Sequence, residues 1–195
     1  MYSMLFAIKN GKIIIKNLSQ FNIKHILECG QIFSYKKLSD NNYIVYSLDY
    51  KAEVFSYEDR VEIITDAVEY FINFFDLKTD YNKIKNDLIK NEFIDEAIKY
   101  GNGIRILKQD LLEVIVSFVI SANNNIKRIQ KSIFYIRENL GENKGDYYAF
   151  PTLEKLKEVD EDFFNKAGLG YRSKQMVKLL KQISYKDILL GIEIR

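Results

Sequence analysis

The sequence predicts an α+β protein: an N-terminal antiparallel sheet domain followed by an α-helical domain. Three observations predict it. Short segments rich in Val, Ile, Tyr and Phe, separated by turn residues, crowd the first third of the 195-residue chain. Asn10-Gly11 stands between two of them, a pair that suits a tight hairpin turn. Beyond Thr65 the apolar spacing changes: Val68, Phe71, Ile72 and Phe75 fall at i, i+3, i+4 and i+7, which is one face of a helix.

Taken in order, Leu5–Ile8 and Lys12–Lys16 form the hairpin, and Asn22–Glu28 reads as a short helix. Strands are expected at Gln31–Lys37, Tyr43–Leu48, Ala52–Tyr57 and Val61–Thr65, spaced closely enough for an antiparallel meander. Asp66 is the expected N-cap of the helix that follows. Lys83–Lys90 and Phe93–Lys99 read as two further helices, and Asn102-Gly103 ends them. From Asp110 the chain reads as helical. Asp110 caps a helix to Ala122 whose centre, Val114 to Ile120, is apolar all round and so is expected to be buried. Helices are also expected at Asn125–Asn139, from Thr152, from Glu161 and over Arg172–Ile183, with a tight break at Gly168-Leu169-Gly170. The domain boundary falls near Asn102–Gln109, giving domains 1–105 and 106–195.

Composition excludes several function classes. Lys and Arg number 29 against 27 Asp and Glu, a net charge of +2, so this is neither a polybasic tail protein nor an acidic disordered one. Apolar residues make up 47%, which argues for a packed core. One Cys and one His exclude a disulfide framework and argue against a His/Cys metal site. Apolar runs are too short to span a bilayer, and the N-terminus lacks the pattern of a signal peptide. A soluble cytosolic protein without cofactor is expected.

Few residues stand out as chemistry. Lys166, Arg172, Lys174, Lys178, Lys181 and Lys186 form a basic stretch with no acidic residue among them. Side chains and free amides at a helix start there would hold phosphates. A solvated helix face is the stronger reading from charge alone. Asn123, Asn124 and Asn125 are poor helix formers between two strong helices; caps account for one or two, and base-edge hydrogen bonding would account for an exposed one. Gly30 serves a turn or lets backbone touch a ligand. His25 and Cys29 lie four apart but lack further ligands, and Cys29 reads as a small core residue. Tyr171, between Gly170 and Arg172, has the setting of a stacking wedge.

Four segments in this order carry a family resemblance: Glu28-Cys29-Gly30-Gln31-Ile32-Phe33, Gly103 to Asp110, Phe118 to Ile129 with its Asn-Asn-Asn-Ile-Lys-Arg-Ile string, and Gly168-Leu169-Gly170-Tyr171-Arg172-Ser173-Lys174. The chain resembles the 8-oxoguanine DNA glycosylase/AP lyase family of the helix-hairpin-helix superfamily. The resemblance implies a sheet domain of the TATA-binding-protein type and DNA base-excision repair by base flipping. The implied partner is double-stranded DNA with 8-oxoguanine opposite cytosine, with no membrane and no obligate protein partner. Gly30 would offer its carbonyl to the N7–H that distinguishes 8-oxoguanine from guanine. Asn123 would fill the vacated space, Arg128 and Arg172 would read the estranged cytosine, and Tyr171 would wedge the stack.

The chain departs from the family pattern at its end. The Pro-Gly hairpin, the catalytic Lys that forms the Schiff base and the catalytic Asp would lie beyond Arg195. An expressed fragment or a natural truncation is expected, without glycosylase or lyase activity of its own. The rival readings are a non-catalytic DNA-binding module and an inert remnant with exposed apolar helices. The location expected is the cytoplasm, with the nucleoid if the source is bacterial.

Overall fold

The computed structural model describes residues 6–88 and 91–188. The start of the expected hairpin at Leu5, the end of the helix expected to reach Lys90 and the tail Gly191–Arg195 lie outside the described residues.

Six strands form one antiparallel sheet: β1 (Phe6–Lys9), β2 (Lys12–Ile15), β3 (Tyr35–Lys37), β4 (Asn42–Ser47), β5 (Tyr50–Ser56) and β6 (Val61–Ile64). Their spatial order is β1-β2-β6-β5-β4-β3. The expected meander is therefore present as β3 to β6, and β2 pairs with its last strand. Asn10 and Gly11 both take positive φ, 51° and 72°, as the predicted two-residue turn requires. That turn sets Phe6 opposite Ile15, and β2 sends Ile13 and Ile15 into the core.

Nine α-helices are described: α1 (Ile23–Glu28), α2 (Val68–Phe74), α3 (Tyr81–Leu88), α4 (Glu92–Tyr100), α5 (Leu111–Ser121), α6 (Ile126–Leu140), α7 (Leu153–Glu158), α8 (Glu161–Lys166) and α9 (Arg172–Gln182). Side-chain caps recur at their starts. Asn22, Asn91, Asp110, Asn125, Thr152 and Asp160 each accept from a backbone amide three residues on.

Two compact units result. Among the described residues, the first comprises those up to Gln31, Tyr35–Val45 and Tyr50–Lys108; the second comprises Ile32–Ser34, Tyr46–Asp49 and those from Gln109. In the first unit Ile13, Ile15, Val54 and Ile63 of the sheet are buried, as are Phe71, Ile72, Phe74 and Phe75 at α2. Arg105 is fully buried there, with its guanidinium on the carbonyls of Phe75, Gln20, Asp76 and Thr79 and over the Tyr81 ring at 4.0 Å. In the second unit Val116, Ile120, Ile133, Ile136, Leu156, Phe164 and Met176 form the core of a helical cluster.

Four expectations are corrected. Only Tyr35–Lys37 of Gln31–Lys37 is strand; just before it the Ser34 carbonyl accepts the Tyr46 amide, and Gln31 bonds through its side chain to the Ile26 and Arg105 carbonyls. Asp66 does not cap α2. Ala67 holds that position without a side-chain bond, and the Thr65 hydroxyl accepts the Ala67 amide instead. The apolar helix α5 is not buried all round: Phe118 is 76% exposed, while Glu113 on the same helix is buried. Cys29 is exposed rather than a core residue.

Candidate nucleic-acid interface

In the first unit the sequence points to Gly30. Helix α1 ends at Cys29, and Gly30 follows with φ +90°, the left-handed residue that commonly terminates a helix. A Cβ at Gly30 would meet nothing within 4 Å, so its dihedral and not crowding asks for glycine. The segment is held on both sides. Gln31 Nε2 donates to the carbonyls of Ile26 and Arg105, both at 2.9 Å, and its Oε1 accepts the Leu107 amide at 3.0 Å. Glu28, just before, accepts the Tyr43 hydroxyl at 2.7 Å and pairs with Lys37 at 3.0 Å. Burial pushes its carboxyl up, but Tyr43 and Lys37 hold it below its ordinary value. Gly30 is exposed on this rigid mount, and its carbonyl accepts no hydrogen bond among the described residues. Gln31 was missed as a functional anchor from sequence; the Gly-Gln-x-Phe string was its only signal.

Beside it, His25 Nδ1 bonds to the Asn102 carbonyl at 3.0 Å, and its ring lies near-parallel to Tyr100. Among the described residues no cluster of His, Cys, Asp or Glu forms a metal site.

In the second unit the asparagine run divides by role. Asn125 caps α6 through the Arg128 amide at 3.0 Å. Asn124 Nδ2 donates back to the Ile120 carbonyl at 3.1 Å, closing the end of α5. Asn123 takes φ +48°, is exposed, and its side chain has no hydrogen-bond partner among the described residues. One of the three asparagines is thus left to offer its amide outward.

Gly168 and Gly170 both take positive φ, 87° and 57°, on either side of the buried Leu169. This double turn brings out Tyr171, which is 65% exposed, immediately before α9. Arg172 goes the other way and is only 6% exposed. Its Nε donates to Ala122 O at 2.7 Å, Nη1 to Leu169 O at 3.2 Å, and Nη2 to Asn123 O at 2.8 Å and again to Ala122 O. Its guanidinium lies 4.4 Å from the centre of the Tyr171 ring. The structure therefore brings Asn123, Tyr171 and Arg172 together. Arg128 lies in the first turn of α6, exposed and without an ion pair among the described residues.

The expected amide nest at the start of α9 is partly closed, since the Arg172 and Ser173 amides donate to Leu169 and Gly170. The exposed positive charge of this unit lies instead on side chains. Lys127, Arg128 and Lys131 of α6 and Lys174, Lys178 and Lys181 of α9 are all exposed and free of ion pairs among the described residues. No acidic residue occupies the first turn of either helix. The α6 cluster was missed in the sequence because Glu138 and Glu142 dilute the local charge further along.

The chain has known counterparts. The family profile for the 8-oxoguanine DNA glycosylase N-terminal domain matches residues 13–115, just over half of the chain. The N-glycosylase/DNA lyase OGG1 of Arabidopsis thaliana is 33% identical over 128 residues, covering 63% of this chain and 33% of that protein. The N-glycosylase/DNA lyase of Saccharomyces cerevisiae is 26% identical over 200 residues, covering 90% of this chain and 52% of that protein. The 8-oxoguanine glycosylase/lyase of Clostridium acetobutylicum, solved with double-stranded DNA containing cytosine opposite 8-oxoG, superposes with a TM-score of 0.82 at 35% identity. That match covers 93% of this chain and 66% of the clostridial one. The chain thus spans between a third and about half of the two curated relatives' length. On the profile match, supported by these likenesses, the chain belongs to the 8-oxoguanine DNA glycosylase family.

Proposed function

We propose that this chain recognises 8-oxoguanine opposite cytosine in double-stranded DNA, as the damage-reading part of a base-excision repair glycosylase/lyase. The observation that carries this reading is the exposed Asn123 side chain and the exposed Tyr171 ring, both set against Arg172, on a unit whose α6 and α9 carry exposed cations; among the described residues neither the Asn123 amide nor those cations have a partner. Asn123 fills the space left by an extruded base, and Tyr171 wedges the stack. Arg128 reads the estranged cytosine. Arg172 has one N–H beyond the four that its carbonyl partners use, and that one serves the same base. The Gly30 carbonyl accepts the N7–H of 8-oxoguanine; guanine has no hydrogen there and turns an acceptor toward the carbonyl, so that bond is lost.

By itself the 195-residue polypeptide neither excises the base nor cleaves the strand. Schiff-base chemistry needs an amine held neutral by burial or by neighbouring cations. Among the described residues, the lysines of α6, α7, α8 and α9 are exposed, and Lys144 is engaged by Glu142 at 3.0 Å. Lys85 is lowered by burial, but its ammonium is spent on Ser19 O and Asn102 Oδ1. No helix among the described residues is long and apolar enough to cross a membrane. The proposed duplex partner is what places the protein in the cytoplasm.

The test is a gel shift and a borohydride trap on one duplex carrying 8-oxoguanine opposite cytosine. A shift preferring the lesion without a covalent adduct is expected. An adduct would show that a lysine of this chain attacks the sugar. Equal binding to lesion and undamaged duplex would remove base recognition.

A further inference from the structure

We propose that Arg172 is the positioning residue for Asn123: it fixes the left-handed turn that presents the Asn123 amide, and it steadies the Tyr171 ring. The inference rests on the DNA-recognition reading above and adds a role that a base contact alone does not require.

The argument begins with an awkward placement. Arg172 opens α9, where a cation faces the positive end of the helix dipole. It is nonetheless buried, and burying a guanidinium is costly unless its N–H groups are satisfied. Both costs are met by the neighbouring helix end. The Ala122 carbonyl, which closes α5, receives two of the four bonds, and Leu169 and Asn123 receive one each. A cation at the C-terminal end of α5 is favourable in turn. The next residue, Asn123, sits at φ +48°, a left-handed conformation that asparagine tolerates but does not by itself prefer over the right-handed one, so bonds from outside the turn help to fix it. Asn124 and Asn125 bind the turn to α5 and α6 from within the segment. Arg172 supplies the bond from outside it, directly on the Asn123 carbonyl at 2.8 Å. The planar fork reaches three carbonyls at once; a lysine ammonium in this place lacks that geometry.

Wild type, Asn123→Ala, Arg172→Ala, Arg172→Lys and the Asn123→Ala/Arg172→Ala double variant are compared by two readouts. The first is hydrogen exchange of the free chain by mass spectrometry. Both Arg172 variants are expected to speed exchange in the segment from Ala122 to Arg128 about tenfold or more, as a local opening that leaves the sheet untouched. Met176→Ala, a core truncation one turn along α9, is the control and is expected to spare that segment selectively. The second readout is affinity for fluorescent duplex with 8-oxoguanine opposite cytosine and opposite adenine. Asn123→Ala is expected to weaken binding about tenfold in wild type and less than about twofold beside Arg172→Ala, the signature of coupled residues. Arg172→Lys is expected not to rescue. Unchanged exchange in Arg172→Ala, the same acceleration in Met176→Ala, or an equal Asn123→Ala effect in both backgrounds would each overturn the proposal. If both Arg172 variants fail to fold, the Arg172 Nε–H of wild type decides by NMR: slow exchange supports the latch and fast exchange refutes it. A wild-type chain that binds no duplex refutes the DNA reading, while the exchange result still decides whether Arg172 holds the turn.

Discussion

Glu113 and Arg137 form a buried ion pair whose two ends also hold a strained residue, Leu48. Arg137 Nη2 lies 3.2 and 3.3 Å from the two carboxylate oxygens. Leu48 has φ +51°, unusual for a leucine. Its amide donates to Glu113 Oε1, and its carbonyl accepts from Arg137 Nη1 at 3.3 Å and from the Phe150 amide at 2.7 Å. Burial drives the Glu113 carboxyl above its ordinary value, and Arg137 draws it back. Removing either partner strands the other charge. Glu113→Ala and Arg137→Ala are each expected to cost about 3–5 kcal/mol in urea unfolding, and the double variant is expected to cost less than their sum.

Gly30 and Gly103 both take positive φ, yet they predict different costs. Gly30 has open space where a Cβ would go, so Gly30→Ala carries only backbone strain of about 1 kcal/mol. At Gly103, with φ +81°, a Cβ would lie 2.7 Å from both the amide nitrogen and the Cβ of Asn22. The same two residues share the Asn22 amide to Gly103 carbonyl bond at 2.8 Å. Gly103→Ala adds overpacking to strain and is expected to cost about 3 kcal/mol or more. Urea midpoints that rank the two variants the other way would refute this.

Asp76 makes stability depend on acid. Burial raises its carboxyl, but Lys108 at 2.7 Å, Thr79 at 2.8 Å and Tyr81 together hold it below the ordinary value. A carboxyl depressed in the folded state binds its proton more readily when unfolded. Its contribution is therefore present above the ordinary Asp value of about 4 and is lost as pH falls through the lower folded value. Urea midpoints are expected to drop steeply below about pH 4, and Asp76→Asn is expected to flatten that limb while lowering the midpoint at pH 7.

Lysine side chains on α9 predict the salt response. Lys174 and Lys178 are exposed and unpaired among the described residues. Each is expected to remove about 0.9 from the slope of log affinity against log salt when changed to Ala, with little change in lesion preference. Tyr171→Ala is expected to act otherwise, weakening duplex binding about tenfold through lost stacking of about 1–3 kcal/mol. Its exposure predicts an unchanged unfolding midpoint. Titrating binding at several salt concentrations separates the two effects.

The features legible in the sequence are local. The Asn10-Gly11 turn, the alternation in β2 and the caps at Asn22, Asp110, Asn125, Thr152 and Asp160 follow from dihedral preferences and from side chains that bond within a few residues. The turns at Gly30, at Asn123 and before Tyr171 were readable for the same reason, since each is written in glycine or asparagine. Tertiary structure decided where each buried charge went. Arg105, Arg137 and Arg172 look like surface cations in sequence, yet each is buried on carbonyls that its own segment does not supply alone. It also decided that Phe118 lies exposed while Glu113 is buried, against the apolar pattern of their helix. A guanidinium or carboxylate is buried only where distant backbone or an opposite charge can satisfy it, and that satisfaction is made by the fold rather than by the neighbouring residues.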